Sequence, residues 1–417
     1  MPEIRFCSKC LYGTSHPLSL TLDDDGVCSG CRIHEEKDRL DWSYRWQLLE
    51  SICNDYRSIS ERNYDCIVPV SGGQDSYYIV HIVKERLRLN PLLVTYNKYF
   101  NTELGIRNLA NLRIRFDCDI LYQNINPLLV KKITRSSLRG LGSIYWPIIA
   151  GSTVFPVQTA IRYRIPLIIW GAHQGLEQVG MFSHENEVEM NRRYRKEHDL
   201  MGVEAEELVT GYDVLEEGDV WQYRYPSDSD LEAVGVRGIY LGNYIRWDPK
   251  HQHELMIHQY NYQTSRFKRT FDCYDYVDCY NYMDLHDWIK LFKHGYSKVT
   301  DHAVREIRFG RLTREQGLEL VRQHELEEPE FVDLFCTWLG MDLNSLQFLL
   351  DQYRNPLFWE KIDIGGWTFK GWSTRQDHTS NLPKNVSKQL DFRVTSKLDY
   401  GKSTKYVTIG KGWPDIK

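Results

Sequence analysis

The stretch Tyr64–Ser76, YDCIVPVSGGQDS, decides how the rest of the chain is interpreted. Its first half, Cys66–Val70, is an apolar, β-branched run of the kind that forms a buried parallel strand. Its second half, Ser71–Ser76, breaks that run with two adjacent glycines and two serines, and a helical pattern resumes at Tyr77. The predicted order of elements is therefore strand, glycine loop, helix.

The loop between this strand and this helix suits phosphate oxygens. Gly72 and Gly73 let the backbone approach a ligand closely, and the helix that follows offers N–H groups and a positive dipole end. Ser71 and Ser76 add hydroxyl donors. The pattern is not a Walker loop, because no Lys-Ser or Lys-Thr closes it, and the glycine spacing is not that of the dinucleotide-binding motif. The alternative interpretation is a tight turn without a ligand.

Four cysteines near the N-terminus follow the pattern C-x2-C-x17-C-x2-C: Cys7, Cys10, Cys28 and Cys31. Two such pairs complete a tetrahedron of thiolates around zinc, and a closed four-thiolate site leaves no open position for catalysis. We therefore expect a structural zinc ribbon over residues 1–40. The alternatives are four unligated thiols, or an iron–sulfur cluster on the same ligands.

Strand-like and helix-like segments alternate after the glycine loop. This alternation predicts an α/β fold over residues 63–265, with a parallel sheet and helices on both faces. Ligands of such sheets lie at the carboxyl ends of the strands, so we expect three loops to meet there: Ser71–Ser76, Tyr96–Asn101 and Gly171–Gly180. The later predicted strands are Pro91–Tyr96, Asp119–Tyr122, Ile165–Trp170 and Gly238–Trp247, and the predicted helices are Tyr77–Leu89, Thr102–Phe116, Pro127–Arg139, Gly151–Arg164 and Lys250–Tyr262.

Three further segments flank this domain. A charge-rich helical pattern with one apolar stripe runs from Glu35 to Arg62, and residues 41–62 of it connect the ribbon to the sheet. Residues 266–357 form a predicted helical subdomain, and the tail of residues 358–417 has a weak β-like alternation and no assigned role. The helices predicted in the subdomain are Asp278–His294, Thr300–Arg308, Thr313–His324, Pro329–Leu339 and Asn344–Gln352.

Two groups of polar residues outside the glycine loop are candidates for ligand contacts. Glu177 offers hard oxygen ligands for Mg2+ bound to the phosphates of ATP, although a polar loop without a ligand fits the same residues. Arg305 and Arg308 lie three residues apart on a predicted helix and point the same way, and Asp301, one turn earlier, is placed to orient Arg305. This face suits a polyphosphate, and the alternative is a surface helix with internal ion pairs.

Composition narrows the class of protein. The 417 residues are 42% hydrophobic and 26% charged, as in an ordinary globular chain. A net charge of −5 argues against nucleic acid as a partner, since binding to the phosphate backbone needs clustered Lys and Arg. No apolar run approaches the roughly 20 residues that span a bilayer, and the first residues carry no signal-peptide core. We therefore expect a cytoplasmic protein without a membrane partner, of undetermined oligomeric state.

Two resemblances follow from these motifs. The SGGQDS loop resembles the SGGxDS loop of the ATP pyrophosphatase, or PP-loop, superfamily, whose fold is adenine nucleotide alpha-hydrolase-like. The cysteine pairs, YDCIVPVSGGQDSYYIVHIVKE, PLLVTYN, FPVQTAIRYRIPLIIWG and GYSKVTDHAVREIRFGRLTREQG, in this order, resemble the N-acetyl sugar amidotransferase family. That family belongs to lipopolysaccharide O-antigen and pseudaminic acid biosynthesis. The resemblance extends from Arg5 to Arg354.

The resemblance implies an AMP-forming C–N ligase that uses ATP and Mg2+. ATP would activate the acetamido oxygen of an N-acetyl sugar or nucleotide sugar as an adenyl imidate, and ammonia would displace AMP to leave an acetamidino group. The implied catalytic residues are Asp75, Ser71 and Ser76. By the resemblance, pyrophosphate would be bound by Ser71, Gly72, Gly73, Asp75 and Ser76, and the Arg305 region would close over it. The further candidates for binding ATP are Gln74, Tyr96, Gly171, Glu177, Arg305 and Arg308.

One residue departs from the family pattern. Gln74 stands where many members carry a lysine, and a glutamine donates a hydrogen bond but brings no charge. The departure implies either weaker binding of ATP or another cation that compensates.

The nitrogen source is a further expectation. None of the cysteines outside the zinc motif lies in a glycine-flanked nucleophile turn, so we expect ammonia from a separate glutaminase with a cyclase-like barrel.

Two rival functions fit the same loop. A tRNA-modifying enzyme of the same superfamily, a thiolase or a lysidine-type ligase, is disfavoured by the acidic net charge of the chain. A non-catalytic subunit that binds a nucleotide would carry the same loop.

Overall fold

The central sheet has five parallel strands in the order β3-β2-β1-β4-β5, which confirms the predicted α/β class. The computed structural model describes residues 4–58, 63–211, 215–362, 365–371, 386–397, 406–408 and 411–412. The strands are β1 (Cys66–Pro69), β2 (Pro91–Tyr96), β3 (Ile120–Gln123), β4 (Leu167–Trp170) and β5 (Arg237–Tyr240).

Most of the connections between strands are helical. Helix α2 begins at an Asp41 cap, whose carboxylate accepts from the N–H groups of Ser43 and Tyr44. The helices up to the end of this domain are α1 (Ser29–Glu36), α2 (Trp42–Asp55), α3 (Gln74–Val80), α4 (Glu103–Arg115), α5 (Pro127–Leu141), α6 (Trp146–Tyr163), α7 (Arg192–Tyr194), α8 (Ala205–Gly211), α9 (Glu217–Val220), α10 (Asp228–Val234) and α11 (Pro249–Tyr260).

Both faces of the sheet are buried, because successive strand residues face opposite sides. Val68 and Leu93 belong to a core that also contains residues of α3, α4 and α11. Ile67 and Leu92, their neighbours in sequence, belong to a second core with residues of α6. The helices on both faces, expected from the alternation of elements, are therefore present.

The glycine loop lies at the point where the strand order reverses. From β1 the chain builds outward through β2 and β3, then returns to place β4 on the other side of β1. Ser71 follows β1 and Gly171 follows β4, so the two loops leave neighbouring strands at the same edge. A crevice at the carboxyl ends of such strands is where open α/β sheets bind ligands.

A helical unit follows the sheet domain and packs against the cysteine-containing N-terminal segment. Cys10 and Cys28 share a hydrophobic core with Val299, Val304 and Val321. The elements of this unit and of the hairpin after it are α12 (Asp287–His294), α13 (Lys298–Arg308), α14 (Arg314–His324), α15 (Val332–Leu339), α16 (Leu343–Asp351), β6 (Trp359–Lys361) and β7 (Trp367–Phe369).

Several predicted elements have other bounds in the structure. The helix predicted over Asp278–His294 begins with a π-helical turn at Tyr282 and continues as α12. The helix predicted over Glu35–Arg62 is two helices, α1 and α2, and residues 59–62 lie outside the described ranges. The strand predicted over Gly238–Trp247 ends at Tyr240, where a 3-10 turn begins. In the tail, β6 and β7 form an antiparallel hairpin, whereas residues 372–385 lie outside the described ranges. Among the described helices, none has the combination of length and apolar character that would let it cross a membrane.

Candidate active site

The glycine loop leads into helix α3, whose N-cap is Gly73. Two internal hydrogen bonds fix its shape: the Ser71 N–H donates to Ser76 Oγ at 2.8 Å, and the Gly73 N–H donates to Ser71 Oγ at 3.0 Å. Because both hydroxyls accept in these bonds, each keeps its own hydrogen for donation to a ligand. The loop thus presents two hydroxyl donors at the carboxyl end of β1.

Gly72 has a packing role that its sequence context did not predict. A Cβ at Gly72 would lie 2.1 Å from the carbonyl oxygen of Gly105, and a Cβ at Gly105 would lie 2.4 Å from the Cα of Asp278. The two glycines therefore let the loop, helix α4 and the segment around Asp278 stack backbone against backbone. Ser71 and Ser76 line a large cavity, whereas Gly72 and Gly73 lie outside its lining.

Gln74 faces the C-terminal unit and not the large cavity. Its side chain is buried, and its Oε1 accepts a hydrogen bond from the Tyr276 N–H at 3.0 Å. The amide oxygen therefore holds the backbone of another segment, and the expected contact of Gln74 with pyrophosphate stays a prediction.

Asp75 is the acidic group of the loop, and it is held by a histidine that the sequence did not single out. Its Oδ1 lies 3.0 Å from Nε2 of the buried His253 on α11, and its side chain stays 42% exposed. His253 Nδ1 in turn lies 3.7 Å from Oδ1 of Asp275. A carboxylate, an imidazole and a second carboxylate therefore form a chain from the loop to the C-terminal unit. Nothing in the local sequence around His253 signals this contact.

One cavity of about 1010 Å³ joins the loop to the helical unit. On the sheet side it is lined by Ser71, Asp75 and Ser76, together with Tyr96 and Gly171 from the ends of β2 and β4, so the three loops predicted to converge do meet there. The basic side chains that line the cavity beyond the loop are His16, Lys98, His198, His286, Lys290, Lys293, His294 and Lys298.

The side of the cavity formed by α12 and the start of α13 carries excess positive charge. Lys290 Nζ lies 2.6 Å and Lys298 Nζ 3.4 Å from the same Asp301 oxygen, and Lys293 Nζ donates to a backbone carbonyl at 2.7 Å. Burial lowers the pKa of His286 and His294 to about 3, which leaves both rings neutral at pH 7. Lys290 and Lys298 therefore share the carboxylate of Asp301, whereas the Lys293 ammonium is held by a backbone carbonyl.

Tyr96 and Gly171 line the large cavity as predicted, but Tyr96 also has a structural role. The Tyr96 hydroxyl lies 2.8 Å from the Tyr223 hydroxyl, and a Cβ at Gly151 would lie 2.1 Å from the Tyr96 ring. A glycine at position 151 of α6 therefore makes room for the ring. Gly171 is equally confined, since a Cβ there would lie 2.9 Å from Cδ1 of Ile79.

Arg305 and Arg308 do not line the cavity that the loop serines line, and their expected contact with pyrophosphate stays a prediction. Both line a smaller cavity of about 180 Å³ beside it, which Gln74 and Asp75 of the loop also line. The Arg305 guanidinium pairs with the carboxylates of Asp272, Asp275 and Glu306. Arg308 donates to the backbone carbonyls of Glu177 and Gln178. The Arg305 guanidinium is thus paired with three carboxylates, and one nitrogen of Arg308 donates to two backbone carbonyls.

Asp301 also differs from its expected role. It does not orient Arg305: its Oδ1 accepts from the Tyr12 hydroxyl at 2.8 Å and from Gln178 Nε2 at 2.9 Å, and its other oxygen pairs with Lys290. Burial alone would raise the pKa of Asp301, but Lys290 and Lys298 hold it well below the ordinary value. Asp301 therefore ties the N-terminal segment to the lysine side of the large cavity.

Glu177 lines the smaller cavity, and Lys37 pairs with one oxygen of its carboxylate. Glu177 Oε2 pairs with Lys37 Nζ, whereas its Oε1 is buried without a hydrogen-bond partner among the described residues. One oxygen is therefore still available as a hard ligand. The Mg2+ role of Glu177 stays a prediction.

The four cysteines of the N-terminal motif come together as predicted. All are buried, and their Sγ atoms lie within 4.8 Å of one another, with Cys7 and Cys31 4.0 Å apart and Cys10 and Cys28 3.6 Å apart. The backbone N–H groups of Cys10 and Cys28 point at Cys7 Sγ, at 3.4 and 3.2 Å, which supports a thiolate there. Four converging sulfur ligands fit the tetrahedral coordination of zinc.

Comparison with known proteins gives three similarities. Residues 261–373 match the family model described as LPS biosynthesis protein WbpG-like, C-terminal domain. An uncharacterized protein of Methanocaldococcus jannaschii, MJ1599, is 33% identical over 118 residues, which are 28% of this chain and 42% of that protein. The chain thus spans less than half the length of this curated relative. The NH3-dependent NAD synthetase of Campylobacter jejuni, solved with a nitrate ion, aligns over 47% of this chain and 92% of its own, with 12% identity and a TM-score of 0.28.

Proposed function

Since the match over residues 261–373 supports the N-acetyl sugar amidotransferase family that the motifs resemble, we propose that this chain is an ATP-using amidotransferase. The proposed substrate is the acetamido group of a sugar or nucleotide sugar, and the product carries an acetamidino group in its place. Because the family description names lipopolysaccharide biosynthesis, we assign the product to surface polysaccharide assembly. AMP and pyrophosphate would be the other products.

One observation carries this proposal: the glycine loop and the lysine side of the C-terminal unit open into the same cavity of about 1010 Å³. Ser71, Ser76 and Asp75 form the end suited to ATP, at the reversal point of the sheet. The opposite side, with Lys290 and Lys293, suits the negative charge of a sugar acid or of the diphosphate in a nucleotide sugar. Pockets for whole cofactors and ligands commonly reach about this size.

The first chemical step would join the acetamido oxygen to the α-phosphorus of ATP, as the bond from that phosphorus to pyrophosphate breaks. An amide is a poor electrophile, and turning its oxygen into a phosphate ester supplies a leaving group. The hydroxyls of Ser71 and Ser76 would stabilise the charge that develops on the departing pyrophosphate. His253 would keep Asp75 oriented toward the same site, because it already holds one carboxylate oxygen at 3.0 Å.

The second step would add ammonia to the imidate carbon. The carbon–oxygen bond then breaks, and AMP leaves with the former acetamido oxygen. The adenyl imidate reverts to the starting amide if water reaches it first, so the reaction needs a closed site and a protected path for ammonia. The tyrosines that line the cavity, Tyr145, Tyr276 and Tyr282 among them, would restrict the access of water.

We propose that ammonia comes from a separate glutaminase. The six cysteines outside the N-terminal motif are all buried, and none is suited to act as a nucleophile. Burial raises the pKa of Cys118 and Cys336 to about 11 and that of Cys53 and Cys273 to about 12, and it also raises the pKa values of Cys66 and Cys279. Such thiols stay protonated at neutral pH.

Two metal ions belong to the proposal. Zinc would be held by Cys7, Cys10, Cys28 and Cys31 and would fix the fold of the N-terminal segment. Mg2+ would arrive with ATP and neutralise phosphate charge, and Glu177 Oε1, buried without a hydrogen-bond partner among the described residues, is the oxygen that we propose as its protein ligand.

The test uses the purified chain with ATP, Mg2+ and an N-acetyl sugar acid or its nucleotide-linked form. With ammonium, we expect AMP, pyrophosphate and a sugar whose mass falls by the difference between an oxygen and an imino group. With glutamine alone, we expect no product until a glutaminase is added. Thiolation or lysinylation of tRNA by the pure chain would overturn the sugar assignment, and ATP binding without turnover of any sugar would favour a non-catalytic subunit.

A further inference from the structure

The glycine loop itself has no cation, although the pyrophosphate part of ATP is strongly anionic. Between Ser71 and Ser76 the only charged side chain is Asp75, and the amide of Gln74 is turned toward Tyr276. The nearest candidates named from the sequence, Arg305 and Arg308, pair with protein oxygens in the neighbouring small cavity. Lysines elsewhere in the large cavity are therefore the candidates for protein cations that contact the phosphates.

Two lysines converge on the space beside the loop. Lys98, two residues past the end of β2, and Lys298, the first residue of α13, both line the large cavity. The Nζ atom of each lies 5.9 Å from the centre of the Tyr276 ring. Strand β2 is the direct neighbour of β1, so Lys98 leaves the sheet at the same edge as the loop. The cavity thus receives one cation from each domain.

Lys98 is further tied to the loop through Asp278. Lys98 Nζ bonds to Asp278 Oδ2 at 2.6 Å, and Asp278 Oδ1 would lie only 3.4 Å from a Cβ on Gly73. That second oxygen is buried without a hydrogen-bond partner among the described residues. Burial alone would lower the pKa of Lys98, but Asp278 raises it above the ordinary value, so the ammonium keeps its charge.

Gln74 has a defined part in this arrangement. Tyr276, whose backbone N–H it holds, has a φ of +52°, a conformation that costs energy for a residue with a side chain. The Tyr276 ring is stacked on Tyr282 with the ring centres 3.7 Å apart, and Lys298 Nζ lies 5.3 Å from the centre of the Tyr282 ring. Gln74 therefore fixes the stacked pair against which the two lysines lie.

We propose that Lys98 and Lys298 are the phosphate-binding cations of this site and that Gln74 positions them through Tyr276, an inference that rests on the proposed function. The ligand class is a polyphosphate: the pyrophosphate portion of ATP. Each ammonium would donate charge-assisted hydrogen bonds to phosphate oxygens while the loop serines donate from the other side.

The test compares two variants, one with and one without a cation at position 98. The single variant Lys98→Arg keeps a cation beside Asp278, whereas the double variant Asp278→Asn/Lys98→Met lacks both charged groups, so neither variant leaves a buried charge without its partner. We expect the double variant to bind inorganic pyrophosphate and MgATP roughly 10-fold more weakly than the single variant, since one charged hydrogen bond is lost. Titration calorimetry gives both affinities.

Lys298 is tested by removing its charge and then restoring it with arginine. Lys298→Met should weaken the binding of pyrophosphate by roughly 10-fold, and Lys298→Arg, which keeps the charge, should restore most of it. The matched control is Lys132→Met, which removes a lysine paired with Asp219 outside both cavities and should leave the affinity unchanged. Adenosine carries no phosphate, so its binding should be the same in all variants, whereas a purely structural defect would weaken it too.

The outcomes separate this inference from the proposed function. Pyrophosphate binding that is insensitive to both lysines would overturn the inference and leave the proposed function standing. Equal losses for adenosine and pyrophosphate would also overturn it, because the lysines would then act through the fold. An unmodified chain that binds neither ATP nor pyrophosphate would overturn both.

Discussion

Among single residues, Asp75 and Ser71 are the most direct probes of the loop. Asp75 is 42% exposed, so Asp75→Asn leaves the core intact, and Ser71→Ala removes a hydroxyl that faces the cavity. We expect each variant to lose ATP turnover by on the order of 10²-fold or more, as when one contact to a developing charge is removed. AMP release measures this. Asp38→Asn, an exposed aspartate paired with Arg246, is the control, and turnover at the unmodified rate in either loop variant would make the loop structural.

The buried His184 predicts part of the response to pH. Burial, with Lys37 and Arg45, lowers its pKa from 6.5 to about 4. In the unfolded chain the ring binds a proton below about pH 6.5, so the stability due to the neutral ring is full above that pH and is lost as the pH falls toward 4. His184→Phe removes this titration. Its free energy of unfolding should therefore fall less between about pH 7 and pH 5, by up to about 2 kcal/mol, than that of the unmodified chain.

Thermal unfolding of both proteins at the two pH values checks the His184 prediction. Equal losses of stability on acidification would contradict it.

For single residues, the sequence predicted which chemical groups the site contains better than it predicted which residues contact one another. The residues of the loop and the four cysteines were identified from local spacing, which specifies a strand end or a ligand pair directly. The contact between His253 and Asp75 joins residues 178 apart in the chain, and that between Lys98 and Asp278 joins residues 180 apart. No local pattern carries such information. The partners of Arg305 were missed for the same reason: its helix face was predictable, but its pairing with the carboxylates of Asp272 and Asp275 was not.

Among the elements, the loop and helix α4 are joined by glycines. A Cβ at Gly72 would lie 2.1 Å from a backbone oxygen of Gly105, which no side-chain rotation relieves. We expect Gly72→Ala to lower the free energy of unfolding by about 1–3 kcal/mol, the usual cost of overpacking. Gly218→Ala, at a position with open space around it, is the matched control. Denaturant titrations compare the two, and equal stability would show that the loop and α4 separate easily.

The elements themselves were largely predictable, because buried parallel strands are continuous apolar runs and the helices between them are amphipathic. The exception at Gly238–Trp247 has a simple cause. The apolar run is interrupted by Gly242 and Asn243, and the chain turns at Leu241–Asn243, where Asn243 is buried and donates to the Val188 carbonyl at 2.8 Å. Glycine next to asparagine is a local turn signal, and the strand ends before it.

At the scale of the whole molecule, the cysteine-containing N-terminal segment contacts the loop Gly171–Gly180 and the helical unit. Ser29 Oγ donates to the Val179 carbonyl at 2.7 Å, Lys37 pairs with Glu177, and Arg308 NH2 lies 3.7 Å from Cys28 Sγ. We expect Cys28→Ser to lose zinc and to unfold at a lower temperature, because metal binding at such sites is part of folding. Cys118→Ser, which removes a buried thiol outside the cluster, should keep one zinc per chain. Metal analysis that finds no zinc in the freshly purified, unmodified protein would contradict the assignment.

The central claim is that ATP activates the acetamido oxygen itself, and isotope transfer tests it most directly. An N-acetyl sugar labelled with ¹⁸O in its acetamido group is incubated with the chain, ATP, Mg2+ and ammonium, and the AMP is analysed by mass spectrometry. Because the oxygen attacks the α-phosphorus and leaves with AMP, the account predicts that the label appears in the phosphate of AMP in proportion to the acetamidino product. AMP that forms without the label, while the sugar keeps its oxygen, would contradict it.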